Sequence, residues 1–223
     1  MPELLDNAFR FDVAEGAGLS SLVAERIKAL FRASYRAPNE SYLERSLAHL
    51  RYVATAWRED LLAGFAIGET RRMDLPRLPR QFVALAGMCC VAPPYRRRGL
   101  FRELETRAFR AAGLPVGERL LSCGRVSHPA SFRTMAWSPT VVPSRGVRPT
   151  LWQREIGVAI ARAYGVERFD PETFVCAGEW GPMAPIIDVE VEPAEWEPFA
   201  RVNAARGDCL LGLLWTPDAP DGW

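Results

Sequence analysis

From Leu19 to Phe31 the apolar residues Leu19, Leu22, Val23, Ile27, Leu30 and Phe31 recur at the spacing of one helical face, while Glu25, Arg26, Lys28 and Arg32 fall on the other. The pattern predicts an amphipathic helix. Pro38-Asn39-Glu40 interrupts it, and Tyr42, Leu43, Leu47 and Leu50 predict a second, shorter helix. Two β-prone runs, Tyr52 to Trp57 and Leu61 to Gly68, are joined by the polar Arg58-Glu59-Asp60 and predict a hairpin. Pro76 and Pro79, set among charges from Arg71 to Arg80, predict an exposed loop. Phe82 to Val91 is continuously apolar, the pattern of a strand covered on both faces, and belongs at the centre of a sheet.

Pro93 and Pro94 end that run. From Gly99 to Gly113 a helix is predicted with Leu100, Phe101, Leu104, Ala108 and Ala111 on one face and a Glu103/Arg107 i,i+4 pair on the other. Arg119 to Cys123 predicts a short strand, and Ser127-His128-Pro129 a helix start with Pro in the first turn. Thr150-x-x-Gln153 is a capping box for a helix carrying Trp152, Ile156, Ala159, Ile160 and Ala163, closed by Gly165. Strands are expected at Ile186 to Val191 and Leu210 to Trp215, around a helix beginning near Pro193. Trp152, Trp180, Trp196, Trp215 and Trp223 should pack the tail against the body of the protein. The resulting fold class is α/β in the α+β sense: a mixed, mainly antiparallel central sheet flanked by helices, with a core over 1–145 and a C-terminal extension over 146–223.

At 223 residues, 48% hydrophobic and 25% charged, the composition is that of a globular protein able to bury a core. The formal charge of +1 leaves no sequence-wide excess to attract nucleic acid or anionic lipid, so neither is an expected partner. Five cysteines without C-x-x-C spacing and two histidines argue against a disulfide framework or a closed zinc site. No secretory signal is visible at the start, and the longest apolar run, Phe82 to Ala92, is shorter than the ~18 residues of a membrane span. A cytoplasmic protein is expected, for which a homodimer is an admissible state.

One segment carries chemistry: Val91-Ala92-Pro93-Pro94-Tyr95-Arg96-Arg97-Arg98-Gly99-Leu100-Phe101, between the most apolar strand and an amphipathic helix. A helix start directs unpaired N–H groups and the positive end of its dipole outward. Gly99 would let backbone approach a phosphate closely, and Arg96, Arg97 and Arg98 supply fork-shaped donors. Together they read as a pyrophosphate cradle.

This segment resembles the acyl-CoA signature V-x-P-x-[YF]-[RQ]-x-x-G-x-[GA] of the Gcn5-related N-acetyltransferase (GNAT) superfamily. Val91, Pro93, Tyr95, Arg96 and Gly99 match it in order, and Phe101 departs from its usual small residue. The likeness spans about residues 8 to 142. It implies a GNAT-like core that transfers an acyl group, as from acetyl-CoA or another acyl-CoA, directly to a small-molecule or peptide amine. It also implies that Cys89, Cys90 and Val91 lend backbone to the pantetheine arm and thioester carbonyl. Arg96 to Phe101 would hold the diphosphate, with Ser131 contributing from the following helix.

Where many superfamily members carry an acid Tyr this chain has Met135, and a thioether donates no proton. His128 is the candidate acid, since its ordinary pKa of about 6.5 suits proton shuttling. Glu69, a carboxylate at the hairpin edge where solvent is expected to reach it, is the candidate base. An acyl-cysteine route through Cys89 or Cys90 is disfavoured, because an apolar central strand raises thiol pKa. Two alternatives stay open: a non-catalytic acyl-CoA binder or sensor, and an acyltransferase using longer-chain or carrier-protein donors.

Overall fold

The computed structural model describes residues 8–114, 117–179, 181 and 183–223. The chain divides into two compact units, one of residues 1–70 and 85–114, the other of 71–84 and 115–223.

The first unit contains β1 (Arg10–Glu15), α1 (Ser21–Ser34), β2 (Tyr35–Arg36), α2 (Glu40–His49), β3 (Tyr52–Arg58), most of β4 (Leu61–Leu75), half of β5 (Leu78–Val91) and α3 (Leu100–Arg110). Its sheet runs in the order β1-β3-β4-β5. β1 pairs antiparallel with β3 from Arg10↔Trp57 to Glu15↔Tyr52, and β3 with β4 from Tyr52↔Gly68 to Arg58↔Leu61. Helix α1 buries Ile27, Leu30 and Phe31, and α2 buries Tyr42 and Leu43. Leu100, Leu104 and Ala108 of α3 join Ala54, Ala56, Ala63, Ala66 and Val91 in one apolar cluster. Small residues let α3 lie close to the strands. A methyl group at Gly64 would meet Leu104 Cδ1 at 2.9 Å, and one at Gly68 would meet Phe109 Cε1 at 2.9 Å. Fully buried Leu104 contributes roughly 2 kcal/mol through the area it removes from water.

The second unit holds the tip of the β4–β5 hairpin, β6 (Leu120–Val126), α4 (Pro129–Ala136), α5 (Leu151–Ala163), β7 (Phe169–Asp170), β8 (Val175–Cys176), β9 (Ala184–Pro185) and β10 (Cys209–Thr216). Its strands run β6-β10-β8-β7. β10 pairs antiparallel with β6 from Leu210↔Val126 to Thr216↔Leu120, and with β8. Phe132 and Met135 of α4 press on β10 at Gly212, where an added methyl would come within 2.9 Å of both. After α5, the Tyr164 hydroxyl donates to the Cys123 carbonyl at 2.8 Å.

Three expectations are corrected. The stretch from Arg71 to Arg80 is not a loop: β4 continues to Leu75 and β5 begins at Leu78, with Pro76 and Arg77 at the corner. Arg77 takes the left-handed conformation the corner needs, and the Arg72 guanidinium stacks 4.6 Å above the Phe82 ring. Helix α5 anchors the tip, since the Trp152 indole N–H donates to the Pro76 carbonyl at 2.8 Å and Arg77 pairs with Glu155 at 3.1 Å. Ile186 to Val191 joins no strand pair among the described residues; side chains hold it instead, as where the Arg133 guanidinium donates to the Glu190 carbonyl at 2.8 Å. The helix near Pro193 is a 3-10 helix, Pro193–Phe199, in which Pro198 lacks the N–H an α-helix would use.

Trp223 donates its indole N–H to the Thr140 carbonyl at 2.7 Å and stands edge-on to Trp152 and Trp215, at 5.9 and 5.8 Å between ring centroids. Trp180 lies outside the described residues. Among the described residues, no helix is long and apolar enough to cross a membrane, and no cluster of three metal-ligating side chains is present. All five cysteines are free thiols.

Candidate functional site

In the first unit, the Ala92 amide beyond β5 donates to the Ala63 carbonyl at 2.9 Å, and Pro93–Tyr95 makes one 3-10 turn. Tyr95 is fixed by edge-on contact with Phe9, 5.4 Å between centroids. Arg96 turns back, its Nε donating to the Val91 carbonyl at 3.0 Å. Arg97 and Gly99 both have positive φ, 63° and 83°, and α3 follows at once.

The start of α3 differs from those of the other four described helices. Ser20 accepts from the Val23 amide, Asn39 from Tyr42, His128 from Ala130 and Thr150 from Gln153, so α1, α2, α4 and α5 each carry a side-chain cap. Gly99 provides none. The first-turn amides of α3 therefore have neither an intrahelical acceptor nor a cap, and point from an exposed loop with the helix dipole behind them. Such an end suits an anion.

The three arginines, treated alike in the sequence, separate in the structure. Arg96 is half-buried and braces the loop, whereas Arg97 and Arg98 are exposed beside Gly99. Leu100 is buried, and Phe101 packs its ring against the core cluster. That packing explains how a large residue is accommodated at the signature's usually small position.

Cys89, Cys90 and Val91 are the last three residues of β5 before this loop. Cys89 packs toward α3, and Cys90 is buried near Ser34 of α1. Burial pushes the Cys90 thiol up to about 12 and the Cys89 thiol well above its ordinary value. Neither is a thiolate near neutrality, which removes the acyl-cysteine route. Glu69, near the middle of β4, is 6% exposed rather than solvated, and its Oε2 accepts the Arg51 amide at 2.8 Å. Its burial depends on a partner 18 residues away in sequence.

The second unit holds the remaining candidates. His128 caps α4, its Nδ1 accepting the Ala130 amide at 3.2 Å, and its ring stands edge-on to Trp196 at 5.2 Å. Burial is the first cause that holds its pKa below the ordinary histidine value; the Arg133 charge also lowers it, and Glu195 raises it. Arg133 grips Glu195 through both carboxylate oxygens at 2.6 Å, and with the backbone amide of Glu192 this pulls Glu195 down to about 2. Ser131 lies in the first turn of α4, its amide bonded to the His128 carbonyl at 3.0 Å. Met135 is 8% exposed, a core side chain packed on β10.

Trp196 was expected from the sequence only to pack the tail, and its place on the ring of His128 was missed. The run of acidic residues from Asp188 to Glu197 was the available signal, since Glu195 and Glu197 pair with Arg133 and Arg145 and hold that segment in place.

No family model matches this chain, and neither does any curated protein. Solved structures similar to it include Arabidopsis thaliana Naa50 in complex with the bisubstrate analogue CoA-Ac-MVNAL, at 11% identity over 92% of this chain and 97% of that one, with a TM-score of 0.44. The ribosomal-protein-S18-alanine N-acetyltransferase of Escherichia coli is 18% identical over 64% of this chain and 86% of that one, with a TM-score of 0.40. The Escherichia coli GNAT-family N-acetyltransferase YhbS, in complex with CoA, is 16% identical over 57% of this chain and 67% of that one, also at 0.40.

Proposed function

We propose that this chain is an acyl-CoA-dependent N-acyltransferase that moves an acetyl group from acetyl-CoA to an amine. The observation that carries the reading is the uncapped start of α3 at an exposed, arginine-rich turn with Gly99 in the left-handed conformation. The first-turn amides of α3 and the Arg98 guanidinium take the diphosphate, Arg96 keeps the turn closed, and the Cys89–Val91 backbone lines the pantetheine arm. The neighbours bearing CoA or a CoA-linked peptide are consistent with such a donor.

The amine nitrogen attacks the thioester carbonyl carbon, the carbon–sulfur bond breaks, and one proton passes from nitrogen to a base while the sulfur leaves as thiolate or thiol. Glu69 is the proposed base. With Nδ1 of His128 accepting the Ala130 amide, the neutral ring carries its proton on Nε2 and is able to donate a hydrogen bond, and His128 is the proposed acid.

A non-catalytic acyl-CoA binder is the second reading, favoured by one observation: Met135 is a packed core residue where an acid would stand. Calorimetry with acetyl-CoA, followed by thiol release over a panel of small-molecule and peptide amines, separates the two. Binding with thiol release supports the transferase, and binding without release from any amine supports the sensor. The absence of binding defeats both. Donors of rising chain length then show whether acetyl is the preferred group.

A further inference from the structure

Helix α3 carries a carboxylate on its apolar side. Phe101, Glu105 and Phe109 recur at i, i+4 and i+8, so they form one row along the helix. Phe101 packs on the core cluster and the Phe109 ring rests on Gly68, which leaves Glu105 between two phenyl rings. It is half-buried, and among the described residues no hydrogen bond or ion pair reaches its carboxyl group. A solvated-face glutamate would sit with Glu103, which pairs with Arg107 at 2.7 Å.

The group facing Glu105 from the sheet is the Cys89 thiol of β5, which stays neutral across the working pH range. No charge on β1, β3 or β4, and none on α3 itself, offsets its burial, and burial alone pushes its carboxyl up to about 8. An apolar setting without a counter-charge favours the protonated carboxyl, which is a hydrogen-bond donor as an ionised glutamate is not. Six residues of helix place it roughly 9 Å along the axis from Gly99, farther along than a diphosphate at the helix start would reach.

We propose that Glu105 is a donor-binding residue whose protonated carboxyl donates a hydrogen bond to an amide carbonyl of the pantetheine arm. The proposal rests on the acyl-CoA reading above and adds to it a contact that makes donor binding depend on pH. Because the complex favours the protonated form, affinity is full below the free carboxyl's value and declines as pH rises through it.

The test is calorimetry with acetyl-CoA at pH 7, 8 and 9. This ligand has no free thiol, and its phosphates are already largely ionised there, the 3′-phosphate having a second pKa of about 6. Wild type should lose about tenfold in affinity from pH 7 to 9. Glu105→Gln keeps a donor that does not titrate and should hold the wild type's pH 7 affinity at pH 7, 8 and 9, while Glu105→Ala should bind several-fold more weakly than wild type at pH 7 and without pH dependence. The infrared carbonyl band of a protonated carboxyl, present in wild type, absent from Glu105→Gln and shifted by acetyl-CoA, gives the same answer spectroscopically. Binding by wild type without pH dependence, or a decline that persists in Glu105→Gln, overturns the role of Glu105 and leaves the acyl-CoA reading intact. No binding by wild type at any pH overturns both.

Discussion

The starts of α3 and α5 are built from opposite logic. At α5, the Thr150 hydroxyl accepts the Gln153 amide at 3.2 Å and the Gln153 side chain accepts the Thr150 amide at 2.9 Å, so the helix end is closed by its own residues. At α3, Gly99 has no side chain to offer and the adjoining residues are exposed arginines. A closed end stabilises the fold and binds nothing. An open one forgoes about 1 kcal/mol of capping and leaves amides for an anion. The chain caps the other four described helices with side chains and leaves α3 open.

The largest expected effect comes from introducing a negative charge at the open end. Gly99→Asp brings a carboxylate to the α3 amides and a Cβ to a backbone at φ 83°, and should weaken acetyl-CoA binding more than 100-fold by calorimetry. Next, Thr150→Ala opens the closed end. It should lower unfolding stability by about 1 kcal/mol in denaturant titrations and leave acetyl-CoA affinity unchanged.

Arg98→Ala removes one exposed donor and should reduce affinity about threefold to tenfold without changing stability. Arg96→Ala should lower both, because its Nε braces the turn at Val91. The smallest effect is at the histidine-capped start of α4. By NMR, His128 should titrate below the ordinary histidine value, and Glu195→Gln, which removes a charge that raises it, should move the midpoint lower still. Since folding depresses this pKa, the contribution of His128 to stability is full above about 6.5 and is lost as pH falls below it.

How much of this was legible in the sequence follows the range of the interactions. The α5 capping box, the break at Pro38-Asn39 and the turn at Gly99 depend on residues within a few positions, and each was readable. The hairpin tip was not. Pro76 and Pro79 carry a loop signal, and what overrides it is distant in sequence: Trp152 and Glu155 of α5 hold the corner. The burial of Glu69 likewise depends on the Arg51 amide. Ile186 to Val191 alternates as a strand should, but β-propensity does not supply a partner. At the candidate site, the turn and His128 were legible by type and spacing. The packing that sets their chemistry was not, including Trp196 on His128 and the bracing of the turn by Arg96. Glu105 lay in plain view between Phe101 and Phe109, and only the packing of α3 on the sheet marks it as half-buried.

The most direct test of the open-end account is a backbone amide NMR titration with acetyl-CoA. The account predicts that the Leu100, Phe101 and Arg102 amides shift and exchange more slowly when acetyl-CoA is added, while the Leu151, Trp152 and Gln153 amides at the closed start of α5 do not respond. Unmoved α3 amides at saturating acetyl-CoA would contradict it.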